Sequence, residues 1–298
     1  MITEEQLDSI VQPGLTKVFV NAFNELPNES IVGAMYNMVN SDKRDEDYLE
    51  MEELGNMPVF TGEVNYQEFR EGNAKTVAHT EFAMGVKIQR RLFDDDLYGV
   101  IEKMIRSMGY VARYRMEQDG AGPFINAFNS TYTTFDGLSL CNSSHSFVST
   151  STIQSNTGTT AWSYAALDAA TITMRKYTDS QDRSIFSMSP DLVLGPVDLE
   201  SQFIEVLESR LKPGTANNNT NAYYRQMKWM THQLLNDTNN WFLIDTKKMK
   251  EWLIWQQRIP LEFANVGDFD SYGKKYKSYM RYSNTPLHWI WVFGSNVS

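Results

Sequence analysis

The chain has 298 residues, of which 42% are hydrophobic and 21% charged, with a single cysteine, Cys141. That composition belongs to a folded chain of one large or two ordinary domains, and one cysteine excludes both an intrachain disulfide and a cysteine-based zinc site. A net charge of −10 argues against a protein whose main task is gripping nucleic-acid phosphates. The longest apolar runs, such as Leu287 to Phe293, are too short to cross a bilayer. The acidic start Met1-Ile2-Thr3-Glu4-Glu5 lacks the pattern of a signal peptide, so a chain made and used in a cytoplasm, or one that leaves it without a secretion signal, is expected.

In chain order, Gly14 to Leu26 reads as a short helix with Val18, Ala22 and Leu26 on one face, opened after Pro13 and ended by Pro27. The charge run Asp42 to Asp47 reads as a solvated turn. Residues 59 to 92 read as a long hairpin: Phe82, Met84, Val86 and Ile88 alternate with Glu81, Ala83, Gly85 and Lys87, a period of two. The segment Glu71-Gly72-Asn73-Ala74-Lys75 is taken as its polar tip. Arms of about ten residues would project roughly 30 Å and have too little core to stand alone.

Asp94-Asp95-Asp96 is expected to cap a long helix running to about Asp119, with Leu97, Ile101, Met104, Ile105, Met108, Val111 and Ala112 as its apolar stripe. Gly120 to Pro123 should end it, although Phe124, Ala127 and Phe128 suggest a further turn or two. Phe135 to Thr160 is loop-like. Ala161 to Asp179 reads as helix, Asp191 to Pro196 as a buried strand, and Asp198 as the cap of a helix through Leu211. Pro213 to Asn221 is a polar loop. Trp241 to Ile244 is strand-like, Met249 to Ile254 is amphipathic, and Tyr276 to Phe293 is aromatic and reads as sheet. The order defines an α+β chain with projecting parts, the pattern of a subunit built for neighbours.

Chemistry-bearing motifs are few. No P-loop, nucleophile elbow, dinucleotide fingerprint or Cys-x-x-Cys occurs. Asp268-Phe269-Asp270-Ser271 begins like a calcium loop, but Tyr272 and Tyr279 stand where it needs carboxylates, so a turn is the better reading. His145, which follows Asp136-Gly137 in a polar loop, reads as a surface or hydrogen-bonded histidine, with no nucleophile or second base motif nearby. Lys274-Lys275-Tyr276-Lys277 reads as a solvated strand edge. Trp241, Trp252, Trp255, Trp289 and Trp291 read as core or interface. No catalytic, cofactor-binding or metal residue is assigned.

Several stretches together resemble the Mu-like phage major head subunit family. They are Tyr48-Leu49 through Leu54-Gly55-Asn56-Met57-Pro58 to Gly62; Arg90 to Gly99; Phe135-Asp136-Gly137-Leu138 with His145; and Pro190 to Pro196. Trp241-Phe242-Leu243, Arg258-Ile259-Pro260, Asp268-Phe269-Asp270, Arg281 and Trp289 continue the likeness, which covers about Gly14 to Ser295. Val59-Phe60 departs from the family, which has a tryptophan there.

The resemblance implies the Hong Kong 97 capsid fold: an N-terminal arm (1–54), an extended loop (55–93), a spine helix with peripheral domain (94–134), an axial domain (135–240) and a return to the sheets (241–298). It implies a major capsid protein, not an enzyme. Its subunits would form the hexamers and pentamers of an icosahedral head, assembled in a bacterial cytoplasm and enclosing double-stranded DNA without sequence-specific binding. Portal, scaffold and decoration proteins are the expected partners, with no cofactor and no membrane. Phe82, Met84, Val86 and Ile88, and Asn217, Asn218 and Asn219 at the axial loop, are the expected intersubunit contacts. Two alternatives compete: a cellular nanocompartment shell of the same fold, and a soluble hydrolase using Asp136, His145 and Asp268.

Overall fold

The computed structural model describes residues 4–25, 30–95, 99–214, 219–268 and 273–297, the side chains of 4–12, 93 and 268 excepted. Helix α1 (Glu4–Asn24) begins ten residues before the expected Gly14 and carries Pro13 inside it. The proline removes only one backbone donor, and the helix lies along the long helix α4 (Val100–Ile125). Contact there is close: a Cβ on Gly109 of α4 would sit 2.5 Å from the Phe19 carbonyl oxygen. Leu15 and Phe19 join Ile88, Ile101, Ile105, Met108 and Tyr276 in one apolar cluster.

The triple aspartate does not cap α4. Asp94 ends a short helix, α3 (Arg90–Asp94), where it lies 3.6 Å from Arg90. Asp96 lies outside the described residues. The cap position of α4 is Gly99, in the left-handed region at φ 64°, where a glycine meets no Cβ penalty. At the other end α4 runs through Pro123 to Ile125. Proline has no N–H for the Asp119 carbonyl four residues back. Asn284 supplies the missing donor, its Nδ2 standing 2.7 Å from that oxygen, while the Tyr36 hydroxyl donates to the Gly120 carbonyl at 2.8 Å.

Helix α2 (Ile31–Met35) docks on the same helix through charge. The buried Glu117 carboxylate accepts from the Ile31 N–H (2.9 Å) and the Ser30 hydroxyl (2.6 Å) and lies 2.7 Å from Arg113. Strands β1 (Asn37–Asn40), β9 (Leu253–Asp268), β10 (Gly273–Pro286) and β4 (Thr80–Ile88) form one sheet in the order β1-β9-β10-β4. Lys274 to Lys277 therefore lie in a central strand paired on both sides, not at an edge. Exposure alternates there, with Tyr276 inside and Lys277 outside.

The second sheet has the order β5-β11-β8-β6-β7, from β5 (Thr157–Gly158), β6 (Leu192–Gly195), β7 (Lys228–Thr231), β8 (Trp241–Ile244) and β11 (Val292–Ser295). Both its faces are covered, which is why β6 and β8 are apolar without a break. Trp241, Val193 and Leu243 face helices α5 (Tyr164–Arg175) and α6 (Glu200–Leu207). Leu194, Phe242 and Ile244 share a core with Phe124 of α4 and with Trp255 and Tyr282 of the first sheet. A 3-10 turn, Val197–Leu199, precedes α6, and Asp198 lies inside that turn instead of capping. Ser163 caps α5, and Asp245 caps α7 (Thr246–Trp252). Trp241, Trp255, Trp289 and Trp291 are fully buried, as their apolar surroundings imply.

The expected hairpin over 59–92 is not formed. The structure pairs β2 (Asp45–Met51) with β3 (Glu71–Ala78), so Glu71 to Lys75 are strand, and residues 52–70 are the projecting connection. Alternation in Phe82 to Ile88 marked a real strand, but its partner is β10.

Candidate assembly surface

Residues 54–70 carry no helix or strand and lie on the outside of the molecule. Their sequence shows why: Gly55, Pro58 and Gly62 interrupt it, and its apolar residues follow neither a period of two nor one of 3.6. Met57 is 94% exposed, Tyr66 89% and Phe60 71%, with Val59, Val64 and Phe69 also exposed. The two legs touch where Gln67 Nε2 donates to the Asn56 carbonyl at 3.1 Å. So many large apolar side chains on one segment form a surface that its own subunit leaves uncovered.

The root of this segment is polar and closely bonded. Buried Glu50 accepts from the Asn73 N–H at 3.1 Å, and its other carboxylate oxygen lies 3.3 Å from His288 Nε2. Glu52 accepts from the Ser149 N–H at 2.8 Å, and Glu53 accepts from the Ser180 hydroxyl and N–H. On β3, Lys75 Nζ donates to the carbonyls of Thr133 and Pro286. Burial pulls its pKa down to about 8. Lys75 is therefore a clamp within its own subunit and does not stand at a loop tip.

The expected contact residues lie elsewhere. Ile88 is 1% exposed and is used up inside its own subunit, so it is withdrawn as an intersubunit contact. Phe82 stacks on Tyr282 at 4.8 Å beneath Arg115, and Met84 and Val86 pack towards Ile105 and Tyr276. Asn217 and Asn218 lie outside the described residues. Asn219 is in the loop after α6, where its carbonyl accepts from the Lys212 N–H at 2.8 Å.

Asp136 and His145 do meet, with Nδ1 2.6 Å from Oδ2. Burial acts to raise the Asp136 carboxyl, but the hydrogen bond and charge of His145, the Thr134 hydroxyl and the Leu138 N–H outweigh it and hold the carboxyl below its ordinary range. His145 is fully buried and stacked on Trp289 at 4.6 Å. A dyad sealed in this way braces a loop and meets no substrate. The Asp268 side chain lies outside the described residues.

Two mixed layers sharing one core, a helix of 26 residues across them and an uncovered extended segment make a shell-subunit architecture. Comparison with solved structures agrees on the fold. The procapsid protein of bacteriophage JBD30 superposes with a TM-score of 0.54 at 15% identity, covering 99% of this chain and 76% of that one. The mature capsid of bacteriophage PhiM1 gives 0.61 at 9% identity, covering 92% and 88%. The encapsulin of Synechococcus elongatus PCC 7942 gives 0.53 at 12% identity, covering 92% of this chain and 89% of that one. These are capsids of the Hong Kong 97 type in fold. No curated protein matches the chain. The model of the phage capsid protein family matches residues 73–293, and the chain belongs to that family. It is a capsid shell protein, structural in role, that works as many copies in the virion.

The sequence missed Glu50, Glu52 and Glu53, and it took Phe82 to Ile88 for an arm of the projecting hairpin, whereas that strand lies in the first sheet beside β10. The available signal was negative: apolar residues at 57, 59, 60, 64, 66 and 69 in no register.

Proposed function

We propose that this chain is the major capsid protein of a phage head, forming hexamers and pentamers that enclose double-stranded DNA without reading its sequence. The observation that carries the reading is the uncovered apolar segment 54–70 on a chain of the phage capsid protein family. In this reading the residues before β2 form the arm, β2, β3 and the segment between them the extended loop, and α4 the spine. The axial domain begins near residue 135 and takes in β8 and β11 beyond the expected boundary at 240. The extended segment lies on a second copy, with Met57, Phe60 and Tyr66 as its anchors. Asn219 and its loop stand near the symmetry axes. Portal, scaffold and decoration proteins are partners, assembly takes place in the bacterial cytoplasm, and no catalysis is involved.

The test is expression of the full chain followed by electron microscopy. Closed shells are expected, and deleting residues 56–66 is expected to leave a folded subunit that makes none. Normal shells from the deletion sink the reading. Likeness to an encapsulin over 92% of this chain and 89% of that one supports a second reading, a cellular nanocompartment. Shells from the native source that hold double-stranded DNA favour the phage head; shells that hold an enzyme favour the compartment.

A further inference from the structure

Three glutamates lie at the point where the extended segment leaves the body, and each bonds to a different stretch of the second-sheet lobe. Glu50 lies against His288, Glu52 against Ser149 and Glu53 against Ser180. The receiving stretches are bonded to one another: the Ser149 hydroxyl donates to the Ser180 carbonyl at 2.8 Å, and Thr150 donates to Asp182 at 3.0 Å. Gln154 and Thr178 exchange two bonds. Phe147 packs on His288 at 5.4 Å.

Space has been left for Glu50. A Cβ on Gly72 would come within 2.7 Å of its carboxylate. His288 Nδ1 accepts from the N–H groups of Trp289 (2.9 Å) and Ile290 (3.2 Å), so the ring proton sits on Nε2 and points at Glu50. The two carboxylate oxygens of Glu50 thus accept from opposite sides, Asn73 on one strand and His288 on the lobe.

We propose that Glu50, Glu52 and Glu53 act together as a latch that holds the root of the extended segment to the lobe and so sets the direction in which the segment projects. With the latch closed, bending is confined to residues 54–69. When it opens, the β2–β3 root keeps only its other ties to the body, Lys75 and Tyr48 among them, and loosens. The consequence for assembly rests on the reading of the segment as a contact between copies, but the latch itself is a property of one chain.

Hydrogen exchange on the full chain, with unassembled subunits separated from shells by sedimentation, reads it directly. Glu50→Gln is the sharp variant. It keeps one acceptor oxygen and turns an N–H₂ group towards a donor that formerly met an acceptor. Glu53→Ala removes the two side-chain bonds to Ser180 and keeps the one from its own backbone N–H to the Ser180 hydroxyl. In both, amides of 45–53 and 70–78 are expected to exchange roughly tenfold faster, with those of β8 and α5 unchanged. Glu63→Gln, on the exposed segment, is expected to leave the root as it is. Unchanged exchange at the root in both variants overturns the latch, and so does an equal rise throughout the chain. Failure of the extended segment to contact a second copy appears separately, as normal shells from the 56–66 deletion.

Discussion

Asn284 and Pro123 are far apart in sequence yet form one structural unit, since the proline leaves the Asp119 carbonyl without a donor and the asparagine provides one. Asn284→Leu should therefore cost about 1–3 kcal/mol, the penalty of an unpaired buried acceptor, measured by denaturant unfolding. A loss no larger than that of a surface substitution would show the carbonyl satisfied in another way. Lys75 gives a pH-dependent expectation. Its folded pKa of about 8 lies below the ordinary 10.5, so between those values the unfolded chain holds more protons. Stability then rises with pH across that window, and wild type should gain on Lys75→Met from pH 8 to 10.5. A flat difference would remove the burial argument. Neither residue was legible beforehand. A lysine after Gly72-Asn73-Ala74 reads as turn chemistry, and only the strand opposite it shows otherwise.

Among the elements, those with strong periods were readable. The stripe Ile101, Ile105, Met108 and Ala112 is the buried face of α4, and the unbroken apolar runs at 192–195 and 241–244 are strands covered on both sides. The pairing of the extended loop was not readable, because alternation in Phe82 to Ile88 reports a half-buried strand without saying which strand lies beside it. Capping at α4 was misjudged for a similar reason. Aspartates favour a helix start, but Asp94 ends the preceding short helix and Asp95 follows it, and a left-handed glycine makes the turn into α4. The α1–α4 contact yields a prediction at this scale. Gly109→Ala should raise helix propensity by about 1 kcal/mol, yet it should lower stability, since its methyl would meet the Phe19 backbone oxygen, which no side-chain rotation can move. Cleavage by protease within α1 should increase. A stabilised variant would mean that α1 is free to shift.

At the scale of the whole molecule, the family and the shell fold were legible from the order of weak motifs over most of the chain. The uncovered apolar segment 54–70 was not, since a surface without period looks like any loop. The connection between the lobes carries a mechanical consequence. The chain passes between its two sheets after α4, from β8 through α7 into β9, and again from β10 into β11, and one apolar core spans both layers. Tension drawn across the subunit is therefore shared by three covalent crossings acting in parallel. A wall of such units under load from within yields first at the seams between copies, which none of these crossings spans. Indentation of single shells with a force probe should open cracks along subunit boundaries and leave the individual chains folded.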